Sequence, residues 1–493
     1  MQSDLGKRRN TAIRAASRSL AELLDRDPGA LSTLDDAGPL PDRDAYRSII
    51  AAAYAEAGLT GLRAEKRRRL LAIAARDTAG EIALEEVGRA LSDLADACLE
   101  VGLTAVEAPL GIAVIGMGKL GGRELNYSSD IDLMVVAQDD PGSAAKAVER
   151  LLRALGEFAP EGQAFRIDLN LRPEGRSGAL ARSLDGYLEY YRRWAKSWEF
   201  QALIKARAAA GDAELGAAFV EGTRELVYPK HMSAEEVANI RKMKERVEEH
   251  AQRSSRGGRS RDQDDVKLGP GGIRDIEFSV QLLQLVHGGG DPTVRSPHTL
   301  EALVALVDGG YVAEDDGAGL STAYRWLRNV EHRLQLWQER QVHHLPEDEE
   351  GRARIARVMG FRDTPAAGAA SRFEDAHRAV LVDVRNRFER LFYRPMIETL
   401  ADPAGAGLSQ EGLMERLRVL GFRDVDRAAR TLDGLVSGTS RRAKLFRVLS
   451  PALLRHLAKT PLPDEGLFGF LTLGEALESR LDAFGTFRDN PPG

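Results

Sequence analysis

Apolar residues recur at spacings of three and four from Tyr46 onward. "LRAEKRRRLLAIAARDTAG" and "IALEEVGRALSDLADACLEVGL" each gather hydrophobic side chains on one stripe and charges on the opposite one, the signature of amphipathic helices. Gly61 and Gly80 stand where such helices are expected to end. Then the period changes. "LGIAVIGMG" is a short, β-branched, glycine-bounded apolar run, and "DIDLMVVAQ" opens with polar and apolar residues in alternation; both predict strands. A helix is predicted over "SAAKAVERLLRALGEFA" and a third strand over "AFRIDLNLRP", with Arg166, Asp168 and Asn170 on one face. Strand, turn, strand, helix and strand make a small mixed sheet with flanking helices.

The same reading divides the chain. Residues 1–40, rich in Arg, Asp, Pro and Gly, read as a flexible N-terminal arm, and 41–105 as a helical segment. Residues 106–250 hold the sheet, 268–400 a helical bundle, and 408–493 a last helical segment and tail beyond the small-residue linker "LADPAGAGLSQEG". Past Asp185 nearly everything reads as helix, including "ALIKARAAAGD" and "SAEEVANIRKMKERVEEHAQR". "SSRGGRSRDQDDVKLGPGG", Ser254 to Gly272, reads as a long polar loop. Trp194, Trp198, Trp326 and Trp337 sit in helical patterns and are expected in the core, His343 and His344 in a loop, and "EKRRRLL" on a solvated helix face. The expected class is therefore α+β and predominantly helical.

Composition narrows the function. With 493 residues, 43% of them hydrophobic and 29% charged, the chain has the make-up of an ordinary globular protein of several domains. A formal net charge of −6 gives no whole-chain footprint for nucleic acid, and no aromatic stacking surface is evident. The single cysteine, Cys98, leaves no internal disulfide and no Cys-rich zinc site. The N-terminus lacks the apolar core of a signal peptide, and no apolar stretch approaches membrane-spanning length. A cytoplasmic protein with no membrane or nucleic-acid partner is expected.

The chemistry concentrates in "GMGKLGGRELNYSSDIDLMVV". On a strand, Asp130 and Asp132 share one face, and Asp168 on a neighbouring strand would complete a cluster of three carboxylates. Such groups repel one another unless a hard divalent cation lies between them. Mg²⁺ is satisfied by one or two carboxylates plus phosphate oxygens, which points to nucleotide phosphate chemistry. Gly116, Gly118, Gly121 and Gly122 permit close backbone approach to a ligand. Lys119 can add a point charge, and Ser128 and Ser129 can donate hydroxyl hydrogen bonds. The glycine register also matches G-x-G-x-x-G, but the acidic strand begins too soon after Gly122 to leave room for the crossover helix of a dinucleotide fold. Arg166 and Arg172 flank Asp168 and suit phosphate bidentately, or else pair with nearby carboxylates. Lys205 and Arg207 are weighed as phosphate ligands against a solvated face. Arg274 and Glu277 follow the glycine turn of "GPGGIRDIEF"; Asp275 and Glu277 cannot share a helix face, so at most one of these acids serves the site.

A glycine pair, a short spacer and D-x-D resemble the nucleotidyltransferases of the DNA polymerase β superfamily, with Lys119 where serine is usual. "GMGKLGGRELNYSSDIDL", "FRIDLNLRPEGRSGAL", "WAKSWEFQALIKARAAAGD" and "VKLGPGGIRDIEFSVQLLQLVHG" together resemble the glutamine synthetase adenylyltransferase family over roughly residues 110–345. The resemblance implies a polymerase β-type mixed sheet embedded between helical bundles, with 106–250 as the nucleotidyltransferase catalytic domain. It implies two heads in a chain about twice this long: one attaches AMP from ATP to a tyrosine of glutamine synthetase, the other removes it by phosphorolysis and releases ADP. "SSDID" and "KLGPGGIRDIEF" are more similar to the N-terminal, adenylyl-removing half. Asp130, Asp132 and Asp168 would then hold Mg²⁺ (or Mn²⁺), with ATP or ADP and inorganic phosphate as substrates or products. PII-type nitrogen-signalling proteins are the further partners the family implies. The alternatives are the adenylylating direction and a regulatory binding module that needs a second catalytic half.

Overall fold

The computed structural model describes residues 3–229 and 264–401, together with 417, 422–436, 457 and 463–469. The predicted helix around 233–253, most of the Ser254–Gly272 loop, the 400–412 linker beyond its first residues, and the C-terminal tail lie outside the described residues. The chain forms two compact units, Met1–Phe388 and Glu389–Gly493. The boundaries expected near 41, 106 and 268 do not separate units, since all three fall inside the first.

The N-terminal residues expected as an arm are folded. They form α1 (Asp4–Ala16), α2 (Arg18–Arg26) and α3 (Pro28–Ser32). The polar residues that suggested loop are helix caps: Ser3, Ser17 and Asp27 accept from the backbone N–H groups of Gly6, Leu20 and Gly29. Two long helices follow, α4 (Arg43–Thr78) and α5 (Leu84–Ala105). The predicted end at Gly61 is absent; α4 instead kinks at Ala57 and Gly58 and continues. Nor is "EKRRRLL" a solvated face. Lys66 is buried over the Phe165 ring, and Arg67, Arg68 and Arg69 pair with Glu339, Asp27 and Glu65.

The sheet then forms from β1 (Ile112–Gly116), β2 (Ile131–Ala137), β3 (Ile167–Asp168), β4 (Arg182–Ser183) and β5 (Arg207–Gly211). Strand order is β3-β2-β1-β5, with β4 also on β2. β1 is antiparallel to β2 and β5, while β3 and β4 run parallel to β2. A one-turn helix, α6 (Gly118–Gly121), lies between β1 and β2, and α7 (Pro141–Gly156) crosses from β2 towards β3. The central strands, both faces of α5 and one face of α7 bury their apolar residues in one core, including Val114, Val135, Leu94 and Leu151. α8 (Leu184–Arg193), α9 (Ser197–Leu203) and α10 (Ala213–Val227) follow. β5 replaces part of the helix expected over "ALIKARAAAGD": its small alanines let α10 close in, and a Cβ on Gly216 would come within 2.7 Å of Ala208 Cβ.

The first unit is completed by α11 (Ile273–His287), α12 (Thr299–Asp308), α13 (Glu314–Leu336) and α14 (Glu349–Val358). Its last helix, α15 (Ala369–Ala401), runs on past Phe388. Trp326 packs in a cluster with Phe361 and Phe373, but Trp194 is 72% exposed and Trp198 38%, so these two are not core residues. In the second unit, α16 (Val425–Val436) contributes to a small core with Phe422 and Leu467. The expected class, α+β and predominantly helical, is the observed one.

Candidate functional site

Asp132 lies one residue into β2 and is directly paired in register with Asp168 of the parallel β3. Paired residues on neighbouring strands project to the same face. The two carboxylates therefore sit side by side, and Asp130, two residues earlier, shares that face. Burial raises the Asp132 carboxyl to about 6, helped by Asp168 and Asp130 and opposed by Lys267 and Lys119. A carboxyl in this setting is disfavoured as a bare anion. An open cleft of about 410 Å³ adjoins two of the three, lined by Asp130, Arg166, Asp168 and Asn170 among others.

The carboxylates are not all aimed at one point. Arg166 Nε contacts Asp130 Oδ1 at 2.6 Å, and Asp168 Oδ1 accepts from the Asn170 backbone N–H at 2.6 Å. Among the described residues, no three side chains converge as a ready-made metal cage. The donor set nevertheless fits a hard divalent ion: it is all oxygen, Asp132 is disfavoured as a bare anion, and the missing Cβ of Gly118 makes room for the Asp132 carboxylate. Gly118 has a left-handed φ of 51°, and a Cβ there would come 2.6 Å from Asp132 Oδ2. Release of Asp130 from Arg166 would supply the third oxygen ligand.

Gly118 is the glycine of this turn that meets the acidic site. Gly121 and Gly122 face protein instead: a Cβ on Gly121 would strike the Lys205 carbonyl oxygen at 1.7 Å, and one on Gly122 the Pro297 carbonyl oxygen at 2.9 Å. At these two positions the missing side chain makes room for neighbouring protein backbone.

Most of the basic residues expected at the phosphates are already engaged. Lys119 Nζ lies 3.3 Å from Glu331 Oε1, and Lys205 Nζ 2.5 Å from Glu124 Oε2. Arg207, on β5 rather than on a helix, forks onto Asp96 at 2.6 and 3.0 Å. Arg172 is buried and donates to the carbonyls of Leu169, Arg176 and Gly178, holding the chain after β3 in place. Arg274 is exposed, and Glu277 accepts from the Tyr324 hydroxyl at 3.3 Å. Ser128 contributes backbone: its N–H donates to Gln335 Oε1 at 3.0 Å and its carbonyl accepts from Arg166. Ser129 is half-buried immediately before Asp130. His343 Nδ1 sits 3.3 Å from Glu331 Oε1.

The residues that the sequence reading missed belong to α13, which runs beneath the turn. Arg328, Glu331, His332, Arg333 and Gln335 are all buried or nearly so. Arg328 donates to the Glu124 carbonyl at 2.6 Å and to Asn126 Oδ1, and Arg333 forks onto Asp77 at 2.6 and 2.7 Å. Burial alone would raise the Glu331 carboxyl, but Lys119, His343 and Arg328 hold it well below the usual range. Five polar residues within eight positions of a helix was the available signal, since a solvated helix places such residues on one face only.

Residues 8–222 match the family model described as glutamate-ammonia ligase adenylyltransferase, and residues 241–392 match that of GlnD PII-uridylyltransferase. The chain is 42% identical over 488 residues to a bifunctional glutamine synthetase adenylyltransferase/adenylyl-removing enzyme of Streptomyces coelicolor, covering 94% of this chain and 48% of the relative. Proteins of the same description from Mycobacterium avium and Mycobacterium tuberculosis are each 37% identical, over 97% of this chain and 49% and 50% of theirs. The chain thus spans about half the length of these relatives. No helix among the described residues is long and apolar enough to cross a membrane.

Proposed function

We propose that this chain, which belongs to the glutamine synthetase adenylyltransferase family along the half of its relatives that it spans, is a metal-dependent nucleotidyltransferase head that removes AMP from the adenylylated tyrosine of glutamine synthetase. The observation that supports it best is the pairing of Asp132 with Asp168, with the left-handed Gly118 against the Asp132 carboxylate. The choice of removal over addition rests on "SSDID" and "KLGPGGIRDIEF", which are more similar to the adenylyl-removing half.

In this reading an oxygen of inorganic phosphate bonds to the AMP phosphorus, the bond from phosphorus to the tyrosine oxygen breaks, and the products are ADP and the free tyrosine. Asp132 and Asp168, joined by Asp130, would hold Mg²⁺ or Mn²⁺, which neutralises charge on the transferring group when bound. Gly118, having no Cβ, leaves the Asp132 carboxylate its place beside the turn. Arg166, freed from Asp130, can turn its guanidinium to a phosphate oxygen in the same cleft. Phosphate is nucleophilic at neutral pH, so no side chain is assigned as general base.

The test is incubation of the purified chain with adenylylated glutamine synthetase, Mg²⁺ and phosphate, following ADP. A parallel reaction holds unmodified glutamine synthetase and labelled ATP. ADP release that requires phosphate and metal supports removal. Label transfer instead would assign the adenylylating direction, and silence in both would favour a regulatory module that needs its other half.

A further inference from the structure

The cleft beside Asp130 and Asp168 has an apolar wall that metal and phosphate chemistry leaves unused. Besides its polar residues it is lined by Leu152, Ile167, Leu169 and Leu180. Leu152, Ile167 and Leu180 are only half-buried: each packs part of its surface against the main core and leaves the rest to the cleft. Neither a divalent ion nor a phosphate gains from apolar surface, since both are held by oxygen and nitrogen groups. A concave site that joins a few fixed polar groups to an apolar lining suits a ligand with a charged end and a hydrophobic body.

The fold fixes this wall in place. Leu152 lies on α7, one residue after Leu151 and three before Leu155, both of which are buried in the core. Ile167 and Leu169 flank Asp168 at the edge of the sheet, and Leu180 precedes the buried Ala181 and β4. Arg172, expected at a phosphate, ties these pieces together instead. Its guanidinium donates to the Leu169 carbonyl at 2.7 Å and to the Gly178 carbonyl, two residues before Leu180, at 3.0 Å. Gly178 admits no side chain, because a Cβ there would strike the Pro173 carbonyl oxygen. Apolar surface held this way before a ligand arrives is preorganised to bind it.

We infer that this wall, Leu152 and Leu180 above all, receives the aromatic ring of the tyrosine whose oxygen is bonded to the AMP phosphorus. The inference rests on the proposed nucleotidyltransferase reading and holds for AMP removal and addition alike, since both place that oxygen at the phosphorus. The ring is attached directly to the oxygen, whereas adenine is set apart from the phosphorus by the whole ribose. With the phosphorus at Asp130 and Asp168, the tyrosine ring is therefore the flat group that lies in the same cleft. The wall selects a tyrosyl ester over the ester of an alkyl hydroxyl, because only the ring covers the leucines.

Titration calorimetry on the purified chain, with Mn²⁺ and without phosphate so that no phosphorolysis occurs, compares three ligands: the AMP ester of tyrosine amide, the AMP ester of serine amide, and AMP. The wild-type chain is expected to bind the tyrosyl ester about tenfold more tightly than the seryl ester. Leu180→Ser should weaken the tyrosyl ester by about five- to tenfold, the effect of withdrawing part of one leucine side chain, and leave the other two ligands unchanged. Leu180→Met should keep most of the affinity. Leu152→Gln, on a different element, should show the same pattern as Leu180→Ser, so that failure of one variant to fold leaves the other decisive. Equal losses for all three ligands would give the wall to the nucleoside and overturn the inference. So would a wild-type chain that binds the two esters equally, or variants that melt at a lower temperature yet bind as the wild type does. Each of these results leaves the nucleotidyltransferase reading standing, whereas a wild-type chain that binds none of the three ligands overturns both.

Discussion

Replacing Glu331 by Gln tests whether α13 holds the glycine turn through charge. Glu331 is fully buried, and within 3.3 Å of its oxygens lie Lys119 Nζ, His343 Nδ1 and Arg328 Nε. Gln fills the same space and keeps an acceptor but removes the charge. Arg328 retains bonds to Tyr324, Asn126 and the Glu124 carbonyl, whereas Lys119, with a side chain only 15% exposed, loses its counterion. Breaking a buried pair from one side costs about 3–5 kcal/mol. With Arg328 still satisfied, the lower end is expected, ~3 kcal/mol, or a fall in Tm of roughly 4 °C for a unit this large. The pH dependence carries a sign. The folded Glu331 carboxyl lies well below its ordinary 4.5, so its stabilisation is fully present above about that pH and is lost as pH falls through the folded value. The deficit of Glu331→Gln should therefore be full at pH 7.5 and shrink below about pH 4.5, read by urea unfolding at each pH. A double-mutant cycle with Lys119→Met should show coupling of about 2 kcal/mol. A variant within about 0.5 kcal/mol of wild type at pH 7.5, or additive changes in the cycle, would refute the clamp.

Three further outcomes follow from the acidic cleft. Asp132→Asn should abolish AMP transfer yet stabilise the fold in chelator-treated buffer: a carboxyl raised from 3.8 to about 6 opposes folding by up to ~3 kcal/mol above pH 6. That gain should vanish as pH falls towards 4, and destabilisation at pH 8 would contradict it. Gly118→Ala should cost about 1–2 kcal/mol from its left-handed backbone and, by pushing Asp132 aside, reduce turnover by about a hundredfold; near-normal turnover would remove Gly118 from the site. Arg166→Gln releases Asp130 and should tighten Mn²⁺ binding severalfold by calorimetry, while weaker metal binding would show that the arginine orients the acid rather than withholding it.

How much of this was legible depended on which forces set each element. β1, the glycine turn and β2 were readable because a buried strand needs a continuous apolar run and the turn needs glycine. Period two put Asp130 and Asp132 on one face, but that Asp168 joins them depended on β3 lying beside β2, which is a matter of topology. β5 was not readable: "RAAAG" has the local preference of a helix, and it extends because β1 offers hydrogen bonds and α10 needs small neighbours. The first 40 residues looked like loop because serine and aspartate serve both turns and helix caps, and only the geometry separates the two. The roles of Lys119 and Lys205 were hidden for another reason. A cation near a phosphate site and a cation neutralising a buried acid have the same side chain, and their partners Glu331 and Glu124 are distant in sequence or in another motif.

The grip of α13 on the turn also sets an order of events during synthesis. Ser128 and Gln335 are 207 residues apart, and Asn126 waits equally long for Arg328. A ribosome will have delivered the whole sheet, with Asp130, Asp132 and Asp168 exposed, well before the helix that completes the floor beneath them emerges. At about 5–20 residues per second that interval is on the order of ten seconds or more. The nascent chain therefore carries a half-built acidic cleft for a substantial time, and a fragment ending after β5 should carry it permanently.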